Sequence, residues 1–179
     1  VDDKELLVTN RLKGGANMPN YCRGQLKIRG KYEDIMRFVE NEIRTYDYFQ
    51  YPQAVLNLSK RKIEEEDGEF CLSLLDGCAY IESTCRNFVE TGVYVCRRDE
   101  KREDGTSVLV VDLFAAWDID PISYAVFSEK YNLDFKIYAF ERGMQFNRDI
   151  CVMNGHVIKN EKITFEDYDW ECIEPRTGG

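Results

Sequence analysis

One histidine, His156, serves the whole chain of 179 residues, and that scarcity removes several chemistries at once. A serine or cysteine nucleophile needs a base within hydrogen-bond reach, and a zinc site needs histidines or closely spaced cysteine pairs. The seven cysteines, Cys22, Cys71, Cys78, Cys85, Cys96, Cys151 and Cys172, come no closer than the seven-residue steps from Cys71 to Cys78 to Cys85. No metal site and no cofactor are expected. Their odd number and apolar settings, as in FCLSLL and VYVCRR, read as reduced core cysteines. Long apolar runs are missing too: VLVVDLFAAW, residues 108 to 117, stops at about half of the ~20 residues a membrane helix requires. The opening VDDKELLVTNRLKGG has no secretory apolar segment, so a cytoplasmic setting is expected. KGGAN and LDGC lack the strand, loop, helix and lysine of a phosphate-binding loop.

What the chain does have is acid. The formal charge is −9, and it is uneven, because residues 1–31 carry seven Lys/Arg against three Asp/Glu. Acid gathers in EEEDGE, 64–69, and in EDYDWECIE, 166–174. Such a balance repels a phosphate backbone and suits a basic partner. In the second acidic stretch Phe165, Tyr168 and Trp170 alternate with carboxylates, and aromatic anchors ringed by acid suit a basic protein surface.

A hydrophobic share of 44% supports a full core, and the patterning points to α+β. GQLKIRG alternates as a strand with Leu26 and Ile28 inward. A helix is expected over about 32–47, with Ile35, Phe38, Val39, Glu42, Ile43 and Tyr46 on one face and acids in its first turn. Residues 50–67 read as loop with one undefined element. FCLSLLDGCAYIES places Asp-Gly between apolar runs, so 70–75 and 78–83 are expected to pair as a hairpin, with a helix over 78–90 as the competing reading. GVYVCRR and SVLVVDLFAAW flank a charged loop as a second, longer hairpin. Asp120 and Pro121 then open a helix whose inner side is expected to hold Ile122, Ala125, Val126 and Tyr131. Three strand-like runs follow, the last two joined by Asn154-Gly155.

The order predicts a ferredoxin-like split β-α-β sandwich with an enlarged antiparallel sheet and two main helices. The expected organisation is an N-terminal extension over 1–17, the α+β domain over 18–165 and an acidic aromatic tail over 166–179.

MPNYC from Met18, then LKIRG and an amphipathic helix, resembles the start of the YubB ferredoxin-like domain family of plasmid and phage proteins. LFAAWDIDP and YNLDFKIYAFERGMQF resemble two later blocks of that family. Tyr21 and Ala115 stand where the family tends to have Trp and Thr, and its Trp-Gly-Thr-Lys-Trp block is missing. The resemblance implies a fold and a mobile-element origin, and transfers no catalytic residue.

The leading expectation is therefore a non-enzymatic protein that binds and inhibits a basic nucleic-acid-handling protein, such as an RNA-guided nuclease of the kind anti-CRISPR proteins block. Its partner-binding residues would be Glu64, Glu65, Glu66, Asp67, Glu166, Asp167, Tyr168, Asp169, Trp170 and Glu171. A second reading is a nucleic-acid-binding module using Arg11, Lys13, Tyr21, Arg23, Lys27 and Arg29 on a sheet face. The aromatic run YDYFQY, 46–51, is read as packing under a loop in preference to base stacking. A third reading is a small enzyme, for which Asp118, Asp120 and Glu141 are the available carboxylates, although Asp120 reads better as a helix cap and Glu141 as a turn residue.

Overall fold

A computed structural model describes residues 20–46, 56–75, 77, 79–99 and 102–179. In chain order these form β1 (Tyr21–Gly30), α1 (Tyr32–Glu42), β2 (Ile43–Thr45), β3 (Arg61–Glu66), β4 (Glu69–Leu74), β5 (Ala79–Ile81), β6 (Asn87–Val89), β7 (Gly92–Arg97), β8 (Ser107–Ala116), α2 (Pro121–Tyr131), β9 (Asp134–Glu141), β10 (Phe146–Met153), β11 (His156–Thr164) and a single turn α3 (Tyr168–Glu171). The protein is α+β, with an eight-stranded sheet ordered β11-β10-β9-β1-β8-β6-β5-β2 and a three-stranded sheet ordered β3-β4-β7. Every ladder is antiparallel.

The first strand holds the centre. Tyr21 to Gly30 pair along their whole length with β8, and Arg23 to Arg29 pair with β9 on the other side. Strands β8 and β9 thus flank β1 and are joined through α2. On the other side of β8 lies β6, with β5 next and β2, the strand that follows α1, at the far edge.

Both helices pack on one face of the large sheet. Leu26 and Ile28 of β1, Leu109 and Val111 of β8, and Phe135 and Ile137 of β9 share one core with Ile35, Phe38 and Val39 of α1 and Tyr124 and Phe127 of α2. Phe38 meets Phe127, Tyr131 and Phe135 edge-on at 5.3 to 5.5 Å, a favoured aromatic geometry. The small sheet joins the same core through Phe70, Leu72, Leu74, Tyr94 and Cys96. It grips both ends of α1. Phe70 and the Arg98 guanidinium pack on Tyr32 at the N-terminus, while the Arg61 guanidinium donates to the carbonyls of Val39, Glu40 and Ile43 at the C-terminus.

Several expectations need correction. The first helix ends at Glu42, because Ile43 to Thr45 turn extended and pair with β5. The two proposed hairpins are two pairs of strands in different sheets: β4 pairs with β3 and β7, β5 with β2 and β6, and β7 lies in the small sheet while β8 lies in the large one. The competing helix over 78–90 gives way to β5 and β6. A hairpin does form at Asp67-Gly68, where both residues adopt the left-handed backbone of a tight two-residue turn and Glu66 faces Glu69. On α2, Asp120 caps through Ile122 N–H as expected, but the buried side is Pro121, Tyr124, Phe127, Ser128 and Tyr131. Ile122 and Val126 are 60% and 56% exposed. The meander β9-β10-β11 stands as expected, with Asn154 and Gly155 at positive φ in its last turn. Within YDYFQY only Tyr46 is described, bridging to Leu56; residues 47–51 lie outside the described ones.

Candidate functional surfaces

Strand pleating sends alternate side chains to opposite faces, so burying Cys22, Leu26 and Ile28 commits Tyr21, Arg23, Gln25, Lys27 and Arg29 to the face that α1 and α2 leave uncovered. The ladders fix their neighbours. Tyr138 faces Gln25, Phe140 faces Arg23 and Phe114 faces Arg23 from the other side. Phe114 in turn faces Phe88, which faces Tyr80. The rings of Phe88 and Phe114 stack at 5.0 Å, and the Arg23 guanidinium lies 5.3 Å from the Phe114 centroid.

Of the basic residues expected here, Arg23 is paired with Glu90, and Arg29 with Asp134 at 2.6 Å. Lys27 differs. Its direct cross-strand neighbour on β9 is Lys136, and both are exposed; among the described residues neither makes an ion pair. Like charges directly opposite each other weaken a ladder, so the pair costs stability. Reading strands singly missed Lys136, although DFKIY places it mid-strand on a polar position, as Lys27 is in LKIR. Arg11 and Lys13 lie outside the described residues.

A shallow channel follows β1 and β9 across this face. Depressions of about 350 Å³, bounded by Lys27, Arg29, Arg102, Val108, Lys136 and Met153 among others, and about 240 Å³, bounded by Gln25, Tyr138 and Phe140, share both lysines. A third, about 540 Å³, continues past Arg23 and Asp112 to Arg176.

The acidic tail docks beside that channel. Asp167 caps α3 through the Trp170 N–H, and the buried Tyr168 donates its hydroxyl to Asn147 Oδ1 on β10 at 3.3 Å. Cys172 is buried against the same asparagine. The chain then ends with Gly179 N–H bonded to the Tyr21 carbonyl at 2.9 Å. With Tyr168 and Cys172 turned inward, Trp170 and Ile173 turn outward, 86% and 81% exposed. Glu166, Asp167, Asp169, Glu171 and Glu174 are exposed around them.

Glu64, Glu65, Glu66 and Asp67 stand elsewhere, on β3, an edge strand among the described residues, and its turn. Glu64 pairs with Lys62 at 2.7 Å and Glu65 reaches Arg98 at 4.0 Å. Charge on an edge strand discourages pairing with another chain, a sufficient reason for acid there.

The catalytic candidates are placed as structural parts. Asp120 caps α2, and Glu141 is fully buried, accepting from the N–H groups of Gly143 and Met144 in the β9-β10 turn. Asp118 pairs with the buried Arg148, its Oδ1 2.9 Å from Nε without hydrogen-bond alignment. Burial, then the carboxylates of Asp118 and Glu141, push the Cys22 thiol up to about 12, away from a nucleophilic thiolate. His156 is exposed at the start of β11. The described cysteines are free thiols.

No family model matches the chain, and no curated protein or solved structure does so either.

Proposed function

We propose that the protein is a non-enzymatic interaction protein of phage or plasmid origin, which binds a basic nucleic-acid-handling protein through its acidic tail and inhibits it. The observation that carries this reading is the outward Trp170 and Ile173, flanked along the chain by five exposed acidic residues, on a turn whose Tyr168 and Cys172 are anchored to β10. Large aromatic and aliphatic side chains held in water are costly unless a partner covers them, and they supply most of the energy when one does. Anchoring the turn lowers the ordering cost that a free tail would meet on binding. The surrounding carboxylates select a basic surface, such as the positively charged nucleic-acid channel of an RNA-guided nuclease. The resemblance of the Met18 region to a plasmid and phage family supports the origin. On the same reading, β8-α2-β9 around β1 is one half of a ferredoxin-like sandwich, and β5 and β6 widen the other half.

The test is a pull-down from bacterial lysate at two salt concentrations, followed by a cleavage assay on any nuclease retained. Trp170→Ala and the triple reversal of Glu166, Asp169 and Glu171 to Lys spare the Asp167 cap. Each should abolish retention and inhibition. Unchanged retention by both variants defeats the proposal, and reversal of Glu64 and Glu66 reports separately on the β3 edge.

A further inference from the structure

We propose that the face of the large sheet opposite α1 and α2 binds single-stranded nucleic acid along the β1/β9 channel, with the Lys27-Lys136 pair holding phosphate and Tyr138 and Phe140 offering rings to bases. The inference goes beyond the function proposed above and rests on different residues. Two ammonium groups set directly across a ladder, with no carboxylate paired to either among the described residues, repel each other. An anion between them turns that cost into attraction. Every other basic residue of β1 on this face already has an acid: Arg23 has Glu90, and Arg29 has Asp134. The channel is long as well as charged. From Arg29 to Arg23 it follows six residue steps of β1, roughly 20 Å at ~3.3 Å per step. Tyr138 and Phe140 lie half-buried beside the lysines, on the same strand as Lys136. Alternating phosphates and flat bases match this sequence of positive charge and aromatic face, and every base has a ring face to offer. Glu90 and Asp112 border one end of the channel and Asp134 the other, which favours a single strand and sets modest affinity, since a duplex would bring a second row of phosphates against carboxylates.

Fluorescence anisotropy with labelled single-stranded DNA and RNA of about eight nucleotides, within the ~4–16 that single-strand sites cover, tests this on the full chain. Binding should appear at about 50 mM salt and weaken as salt rises. Lys27→Glu should reduce it at least tenfold. The same substitution sets a carboxylate opposite Lys136 across the ladder, so the variant's melting temperature should be equal to or above that of the parent. Loss of binding with retained stability separates ligand contact from damage to the fold. Lys27→Gln with Lys136→Gln should make the slope of log affinity against log salt shallower by about 1.4, at ~0.7 per phosphate contact. Lys162→Gln, whose ammonium sits over Phe146, is the control that should change neither. No binding by the parent chain, unchanged binding by the Lys27 and Lys136 variants, or equal binding of a duplex overturns the inference. Trp170→Ala should leave oligonucleotide binding intact, so failure here and failure of the tail proposal are distinguishable.

Discussion

At the scale of single residues, the most informative side chain is Glu42. The sequence places it on the apolar side of a helix, where a carboxylate needs an explanation. The structure supplies one: Glu42 is 4% exposed and its Oε1 accepts from the Tyr131 hydroxyl and, at 2.7 Å, from Lys130 Nζ. One carboxylate thereby ties the end of α1 to the end of α2. Truncation by Glu42→Ala would strand the Tyr131 hydroxyl, while the half-exposed Lys130 could return to water. The expected loss is about 1.5–3 kcal/mol, the range for hydrogen bonds to charged groups, read as a lower urea midpoint. Glu42→Gln keeps an acceptor and should lose less. The Lys27-Lys136 pair is the opposite case, a residue-scale cost that nothing in the described fold offsets.

At the scale of elements, α2 shows what periodicity does and does not reveal. Its start was legible, because an aspartate followed by proline has one good use, and Asp120 is found capping Ile122 N–H. Its inner side was legible only in part: Tyr131 is buried and Ala125 packs against the core as expected, whereas Ile122 and Val126 face out. Ile122, Val126, Tyr124 and Phe127 are all apolar, so the stripe is too wide to orient by pattern. Ile122→Lys should therefore change stability by less than about 0.5 kcal/mol, whereas Phe127→Ala should cost about 3–5 kcal/mol. Chemical denaturation of the two variants checks the assignment, and the reverse ranking would overturn it. Strand positions were legible for the same reason that partners were not: alternation reports which face is buried. Here two sheets bury their faces in one core, so β4, β5, β7 and β8 look alike. Asp-Gly pairs could not arbitrate. Asp67-Gly68 closes a hairpin, while the pair at 76–77 stands between strands of different sheets. The strand β3 was hidden by its edge chemistry, RKIEEE, with Ile63 alone turned to the core. On the candidate surfaces, Trp170 and its acids were visible in sequence as a motif, and Tyr168 was counted with them although it faces inward. Lys136 became visible once register set it against Lys27.

At the scale of the molecule, the buried thiols and phenols predict how the fold responds to alkali. Burial pushes Cys22 and Cys96 up to about 12, and raises Tyr124 and Tyr168 as well. Above pH ~9 the unfolded chain releases cysteine protons that the folded chain keeps, so stability falls with rising pH across the window from about 9 to 12. Below it this contribution is fully present. Urea unfolding under reducing conditions between pH 8 and about 10.5 should show a steady loss, and Cys22→Ala should flatten the slope by up to ~1.4 kcal/mol per pH unit. An identical slope in the variant would place the alkaline loss elsewhere.

The central position of β1 sets an order of events in the cell. Both of its neighbours, β8 and β9, come from the far half of the chain, and β9 is complete only at Glu141. At roughly 5–20 residues per second, a ribosome finishes β1 about 5–20 s before its second partner has been made. During that interval Leu26 and Ile28 belong to a strand with two unsatisfied edges. Production of the protein should accordingly depend on holdase chaperones and on slow translation, and refolding after dilution from denaturant should be slow and sensitive to protein concentration.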